Sequence, residues 1–81
     1  MFHTYILYSQ SIQQFYTGQT ADLHNRLQEH NSGETKSIAK GIPWALVWSV
    51  VSDTRSEAMQ WEKKIKSRGA KRFLLDCGIG V

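Results

Sequence analysis

The chain has 81 residues, 41% of them hydrophobic and 21% charged, with a formal net charge of +3. This length fits one small domain, the hydrophobic content excludes a disordered chain, and the single cysteine, Cys77, excludes a disulfide framework. Because no segment reaches the roughly 18 apolar residues that span a bilayer and the N-terminus lacks the pattern of a signal peptide, we expect a cytoplasmic protein that does not enter a membrane.

Two segments near the N-terminus predict a β-hairpin. Residues 3–9 are rich in β-branched and aromatic side chains, which favour a strand. Residues 10–14 form a short polar turn, and residues 15–17 predict a second, antiparallel strand that Gly18 ends. We therefore expect the domain to begin with two paired strands.

Each arm of this hairpin carries a tyrosine, Tyr5 in the first strand and Tyr16 in the second. Cross-strand packing of the two rings is the ordinary explanation. A catalytic explanation needs a cation close by, because a phenol with a pKa of about 10 is a poor base unless its anion is stabilised. Both explanations stay open for the pair taken alone.

A first helix is predicted after the hairpin. Thr20 is the expected N-cap, and Asp22 in the first turn favours the positive end of the helix dipole. Leu23 and Leu27, four residues apart, supply a buried stripe. The helix should stop near residues 31–33, which end in a glycine.

Arg26 and His30 lie one turn apart on this helix and flank its leucine stripe. A guanidinium matches two phosphate oxygens and keeps its charge at any working pH, and a neighbouring imidazole can move a proton near neutrality. The structural alternative is an Asp22–Arg26 ion pair beside a half-buried, hydrogen-bonded histidine. A zinc site is disfavoured, because no pair of histidine or cysteine residues has the usual ligand spacing.

The middle of the chain predicts a loop followed by a strand. Residues 34–42 are mostly polar and are closed by Pro43, which favours a loop. Residues 44–51 form a nearly continuous apolar run, which predicts the central strand of the sheet.

A second helix is predicted over residues 55–68, because Thr54 and Glu57 form a capping box and Gly69 stops the helix. Its inward stripe has helical spacing and consists of Ala58, Trp61, Glu62 and Ile65. A short last helix over residues 70–75 and a flexible tail over residues 77–81 complete the prediction. The order of elements predicts one α+β domain over residues 1–76, in which helices flank a three-stranded, largely antiparallel sheet.

Glu62 is unusual because it is a carboxylate on an apolar stripe, where it loses hydration and needs a partner. One alternative is an ion pair with Lys66, four residues further along the helix. The other is a divalent cation, since a carboxylate is the hard oxygen ligand that Mg²⁺ or Mn²⁺ prefers.

Positive charge is concentrated late in the chain. Seven of the ten Lys and Arg residues fall between positions 55 and 72, where only two glutamates oppose them. Such a stripe indicates nucleic-acid binding, although a solvated lysine-rich helix has the same composition. The candidate nucleic-acid-binding residues are Lys63, Lys66, Arg68, Lys71 and Arg72.

These residues, taken in order, resemble the GIY-YIG nuclease superfamily, in particular its short, standalone bacterial members and the N-terminal nuclease domain of the excision-repair incision subunit. Residues 3–5 (His-Thr-Tyr) stand where the family has GIY, and residues 16–18 (Tyr-Thr-Gly) stand where it has YIG. The likeness covers about residues 3–74, and its further matches are residues 15–23, 26–27, 30–33, 43–44 and 56–66.

The resemblance implies a role for each matching side chain. Tyr5 would help to activate the attacking water, and Tyr16 would position it or contact the phosphate. Arg26 would stabilise charge on the pentavalent transition state, and His30 would orient groups or relay a proton. Glu62 would bind a single divalent metal ion, Mg²⁺ or Mn²⁺, beside the scissile phosphate.

The chain also departs from the family pattern. Gly18 is kept and would hold the end of the second strand tight, but His3, Thr4 and Thr17 replace residues that are structural in the family. Many members have a later polar residue, often Asn, that completes the site, whereas this sequence has asparagine only at positions 25 and 31. Larger members carry a second domain for target specificity, so a protein partner would supply it here.

The resulting hypothesis is a metal-dependent endonuclease that cleaves nucleic acid, expected to be DNA, in a repair or processing role. One alternative is a nucleic-acid-binding module that has the same fold and basic face but is catalytically weak or inactive. Another is a protein-interaction domain whose three tryptophans form a partner surface.

Overall fold

The computed structural model describes residues 1–34 and 36–80, so that Thr35 of the predicted loop and Val81 of the predicted tail lie outside the described residues. The elements in chain order are β1 (Phe2–Ser9), β2 (Gln14–Thr20), α1 (Leu23–Ser32), a 3₁₀ helix (Lys36–Gly41), β3 (Trp44–Ser52), α2 (Arg55–Arg68) and α3 (Ala70–Asp76). The predicted α+β class is confirmed. No helix of the described ranges is long and apolar enough to cross a membrane.

The three strands form one antiparallel sheet in the order β2-β1-β3. The central strand is therefore β1, and the prediction that residues 44–51 form the central strand is wrong. Four consecutive residues of β1, Thr4 to Leu7, are buried, whereas Leu46 and Val51 of β3 are exposed. A strand is buried on both sides only where elements cover both faces of the sheet, and β1 has that position.

Each face of the sheet carries its own small core. Ile6 packs with Ile65 of α2 and with Phe73 and Leu74 of α3. On the opposite face, Tyr5 and Leu7 pack with Trp44, against which α1 and the 3₁₀ helix lie. Because successive side chains of a strand point to opposite faces, β1 contributes side chains to both cores.

Helix α1 begins later than the sequence predicts. The N-cap is Asp22, whose side chain accepts a hydrogen bond from the Asn25 amide at 3.1 Å, and the predicted N-cap Thr20 ends β2 instead. Strand pairing continues through Gly18 to Thr20, so the prediction that Gly18 ends β2 is wrong. The helix stops at Gly33 in the left-handed conformation, as predicted.

Helix α2 occupies the predicted residues. The hydroxyl of Thr54 accepts from the Glu57 amide at 3.2 Å, and the helix runs to Arg68. Helix α3 ends at Asp76, but Ile79 packs against the core and its amide donates to the Leu74 carbonyl at 2.8 Å. The flexibility expected for residues 77–81 stays a prediction.

Candidate active site

The centre of the candidate site is the phenol of Tyr5, which lies across Gly18 of the neighbouring strand. These two residues are register partners in β1 and β2. A Cβ atom on residue 18 would lie 2.7 Å from Tyr5 Oη and 2.9 Å from Tyr5 Cζ, closer than a side chain tolerates. The glycine therefore makes room for the tyrosine from inside β2, whereas the sequence placed Gly18 at the end of that strand.

The Tyr5 hydroxyl and the Nε2 atom of His30 form a buried hydrogen bond of 3.0 Å. Both residues are only 1% exposed. The other ring nitrogen of His30, Nδ1, is buried and has no hydrogen-bond partner. The histidine is thus more deeply buried than the half-buried residue of the structural alternative, and it joins α1 directly to β1.

Burial sets the protonation states of this pair. The pKa of the Tyr5 phenol is raised far above its ordinary value, mainly by burial and then by the Tyr16 phenol, while the Arg26 guanidinium lowers it. The pKa of His30 is lowered, first by burial and then by Arg26. At neutral pH the pair is therefore a neutral phenol bonded to a neutral imidazole.

Tyr16 packs against this pair without being its direct cross-strand partner. Its ring lies 5.0 Å from the His30 ring in an edge-on arrangement and 6.3 Å from the Tyr5 ring. Leu7 is its register partner in β1, so the two tyrosines are diagonal neighbours on one face. Unlike Tyr5, Tyr16 is only half-buried.

Arg26 belongs to the same face but points outward, with 42% of its side chain exposed. Its Nε atom lies 3.8 Å from a carboxylate oxygen of Glu29. The predicted Asp22–Arg26 ion pair is absent from the described residues, because the Asp22 carboxylate caps the helix. The Arg26 guanidinium therefore keeps much of its donor capacity while its charge acts on Tyr5 and His30.

Glu62 reaches the site from α2, on the other face of the sheet. Its carboxylate accepts a 2.6 Å hydrogen bond from Lys66 Nζ, so the predicted i,i+4 ion pair is present, and 23% of the Glu62 side chain is exposed. The negative charge of Glu62 also raises the pKa of Tyr5. Charges from both helices thus act on one phenol.

The groove around Glu62 contains oxygen atoms that could meet a hard cation, together with the ammonium groups of Lys63 and Lys66. Glu62 lines an open groove of about 530 Å³ together with Gln19, whose buried Oε1 atom has no hydrogen-bond partner. A carboxylate and an amide oxygen are donors that Mg²⁺ and Mn²⁺ accept, with water and substrate oxygens filling the remaining positions. Within the described ranges, no group of three or more His, Cys, Asp or Glu side chains converges as a metal site.

The two asparagines do not complete this site. The Asn31 side chain accepts from the Trp44 amide at 2.6 Å and donates to the Trp44 carbonyl at 3.1 Å, which ties α1 to the start of β3. The Asn25 side chain donates to Glu29 at 2.6 Å on the exposed side of α1. Both amides are therefore engaged elsewhere.

Most of the predicted nucleic-acid-binding residues face one open groove of about 750 Å³ along the β2 edge of the sheet. Its basic lining residues are Lys66, Arg68, Lys71 and Arg72. Lys63 lines the neighbouring groove with Glu62, and Lys66 lines both grooves. Arg68 also forms two hydrogen bonds with Asp76, at 2.8 and 3.1 Å, so its charge is partly compensated.

The surroundings of two polar residues near the site, Gln19 and Asn31, were not predicted from the sequence. Strand alternation could have placed Gln19, since Gln19 and Thr17 are two residues apart on one strand and therefore share the α2 face. Asn31 follows the candidate histidine directly, but its partner Trp44 is thirteen residues away and no local pattern indicates that contact.

Comparisons with known proteins identify the family of the chain. A family model described as the GIY-YIG catalytic domain matches residues 1–73. A UPF0213 protein of Haloquadratum walsbyi is 39% identical over 83 residues, which cover 99% of this chain and 93% of that protein. A UPF0213 protein of Halobacterium salinarum is 38% identical over 77 residues, which cover 91% of this chain and 99% of that protein.

The same family is found among solved structures. The solution NMR structure of a UPF0213 protein from Bacillus halodurans matches with a TM-score of 0.58 and 32% identity, over 99% of this chain and 88% of that one. The family supports a nuclease-type function in general terms. The chain belongs to the GIY-YIG domain family and, within it, is related to the standalone UPF0213 proteins.

Proposed function

We propose that this protein is a divalent-metal-dependent endonuclease that hydrolyses phosphodiester bonds in nucleic acid, with DNA as the expected substrate. The observation that carries the proposal is the buried Tyr5–His30 hydrogen bond beneath Gly18, on which charges from Arg26 and Glu62 both act. Packing alone does not require a phenol and an imidazole to be removed from water together, because each buried polar group has a desolvation cost.

The Tyr5–His30 pair would handle the proton of the attacking water. A neutral imidazole can accept a proton through the phenol hydroxyl, and its lowered pKa keeps it in the accepting form at neutral pH. Arg26 favours the phenolate side of this transfer because its charge lowers the pKa of Tyr5. Tyr16, packed against both rings and half-buried, would position the reacting groups.

Arg26 would also act on the phosphate. Its exposed guanidinium offers paired N–H donors that match two phosphate oxygens, and the single contact with Glu29 leaves donors free. Charge that accumulates on the phosphate oxygens in the transition state would therefore be stabilised by a group already in place.

Glu62 would hold the divalent ion. Such an ion would supply Lewis-acid stabilisation of the phosphate and leaving oxygen. The Glu62 side chain, 23% exposed, is partly desolvated, which strengthens the attraction of its carboxylate for a cation. Lys66 would give up its contact with Glu62 and remain available to the phosphate backbone, since it lines both grooves.

The basic groove along β2 would bind the nucleic-acid backbone. Four basic side chains line it beside Phe15 and Thr17, and these contacts carry no base information. Binding should therefore be largely independent of sequence and should weaken steeply with salt. Target specificity would come from a protein partner, in a cytoplasmic repair or processing role.

Purified protein incubated with plasmid, branched and single-stranded DNA, in Mg²⁺ or Mn²⁺, tests the proposal. Glu62→Ala and Glu62→Gln should reduce cleavage by about 10²–10³-fold, as removal of one preorganised electrostatic group commonly does. Glu57→Gln is the matched control, because it removes one charge from an exposed position of the same helix. Equal cleavage by wild-type protein and the Glu62 variants would point to a contaminating nuclease.

A second candidate function is a nucleic-acid-binding module without efficient cleavage. The observation that favours it is the engagement of Asn25 and Asn31 in other contacts, which leaves neither amide for the site. An NMR titration with Mg²⁺ separates the two candidates. Shifts centred on Glu62, Tyr5 and Arg26 favour the enzyme, whereas salt-sensitive DNA binding without such shifts favours the module.

A further inference from the structure

The side-chain amide oxygen of Gln19 is buried and has no hydrogen-bond partner among the described residues. This Oε1 atom is one of three buried side-chain polar atoms in the described residues that lack a hydrogen-bond partner, together with His30 Nδ1 and Ser52 Oγ. A buried acceptor without a donor destabilises a fold, so native proteins retain such atoms mainly where a functional ligand or water meets them.

Sheet register places Gln19 beneath α2. Gln19 pairs with Thr4, whose hydroxyl donates to the Ala58 carbonyl of α2 at 3.0 Å. Paired residues of an antiparallel sheet share a face, so the Gln19 side chain also points toward α2. The groove above it is lined by Met59, Glu62, Lys63, Lys66 and Ser67.

The ammonium group of Lys66 does not serve as a donor to the Gln19 amide oxygen. Lys66 Nζ bonds to Glu62 at 2.6 Å, and Gln19 Oε1 receives no hydrogen bond from it. The groove is thus lined by Glu62 and Gln19, which come from different elements of the fold, and the Gln19 amide oxygen is buried and unpartnered. Hard divalent cations bind such oxygens, whereas they do not bind ammonium groups.

We propose that Gln19 Oε1 is the second protein oxygen that ligates the divalent cation held by Glu62. The inference rests on the proposed metal-dependent function and adds a ligand to that same site. Gln19 would supply an amide oxygen from β2, because the amides of Asn25 and Asn31 bond to Glu29 and Trp44 instead. Such a cation would link β2 to α2 through Gln19 and Glu62, and Gln19 directly follows Gly18, the register partner of Tyr5.

Mn²⁺ titrations of the full chain, read by NMR and calorimetry, test this ligand without any cleavage assay. In wild-type protein, Mn²⁺ should broaden the Gln19 side-chain amide signals and the Glu62 backbone signal selectively. Gln19→Met keeps the length of the side chain but removes the oxygen, and it should weaken Mn²⁺ binding by about tenfold or more, in the range seen when a ligand environment is disrupted. Gln19→Glu keeps an oxygen and should bind Mn²⁺ at least as tightly as wild type.

Thermal unfolding gives a second readout. Without metal, Gln19→Met should be as stable as wild-type protein or more stable, because the substitution removes an unpartnered acceptor. Added Mn²⁺ should raise the unfolding temperature of wild type more than that of Gln19→Met, since a ligand stabilises the state that binds it.

The outcomes separate this inference from the proposed function. Unchanged Mn²⁺ affinity in Gln19→Met, with weakened affinity in Glu62→Gln, overturns the role of Gln19 and leaves the Glu62 site in place. Unchanged affinity in Glu62→Gln overturns the metal site and this inference with it. If Gln19→Met fails to fold, loss of binding in Gln19→Glu or absence of broadening at the Gln19 amide overturns the proposal.

Discussion

Replacement of Gly18 by alanine would place a methyl group against the Tyr5 phenol. The new Cβ would lie 2.7 Å from Tyr5 Oη, 2.9 Å from Tyr5 Cζ and 3.2 Å from Tyr16 Cε1. These separations are shorter than ordinary van der Waals contact, so the Tyr5 ring has to move. Because Tyr5 is 1% exposed and bonded to His30, any movement disturbs the core and the candidate site together.

The expected loss of stability has two parts. Insertion of one methyl group into a packed core costs about 1–3 kcal/mol, and loss of the buried hydrogen bond between Tyr5 and His30 adds about 1 kcal/mol. The free energy of unfolding should fall by about 2–4 kcal/mol. A domain of this size has only about 4–12 kcal/mol in total, so the change should be easy to detect.

Urea denaturation of wild-type protein and Gly18→Ala measures this loss. Gly80→Ala is the matched control, since an added Cβ there meets no atom within 4 Å. In a Tyr5→Phe background the alanine should cost about 1 kcal/mol less, because the nearest clashing atom and the hydrogen bond are already absent. A loss below about 0.5 kcal/mol for Gly18→Ala would refute the close packing of Tyr5 on Gly18.

Two further predictions concern α1. Burial lowers the pKa of His30 below its usual 6.5, so the unfolded chain binds a proton more readily than the folded chain. The free energy of unfolding should therefore keep its full value above about pH 6.5 and fall below that pH, down to the lowered pKa of the folded state. The slope should reach at most about 1.4 kcal/mol per pH unit. Urea unfolding across pH should show a shallower slope for His30→Gln, and parallel curves would contradict the assignment. Asn31→Ala should lose about 2–4 kcal/mol in the same assay, because it leaves the Trp44 amide and carbonyl unpartnered, whereas the exposed Asn25→Ala should change by less than about 0.5 kcal/mol.

Local sequence patterns predicted most of the elements because their signals lie within a few residues. Thr54 and Gly69 mark the ends of α2, and the apolar stripe of that helix has the spacing of one face. The i,i+4 pair of Glu62 and Lys66 is equally local. Runs of β-branched and aromatic residues likewise predicted the hairpin, although β2 begins one residue earlier and ends three residues later than the predicted strand.

The sequence did not predict features that depend on pairing between distant segments. Strand β3 is apolar enough for a central position, yet it lies at the edge of the sheet. The order of the strands depends on which parts of the sheet the helices cover, and the composition of a strand does not show this. The depth of His30 depends on Tyr5, twenty-five residues away. The missing hydrogen bond of the Gln19 amide oxygen can be identified only from the folded structure, because it depends on the positions of all the donors around that atom.

The proposed function requires that Glu62 hold a divalent ion needed for phosphodiester hydrolysis. The most direct measurement is the single-turnover cleavage rate of DNA in Mn²⁺ for wild-type protein, Glu62→Gln and the control Glu57→Gln. Wild-type protein and the control should cleave DNA, and Glu62→Gln should lose about 10²–10³-fold in rate. Equal rates for all three proteins, or no metal-dependent cleavage by wild type, would rule out this role of Glu62.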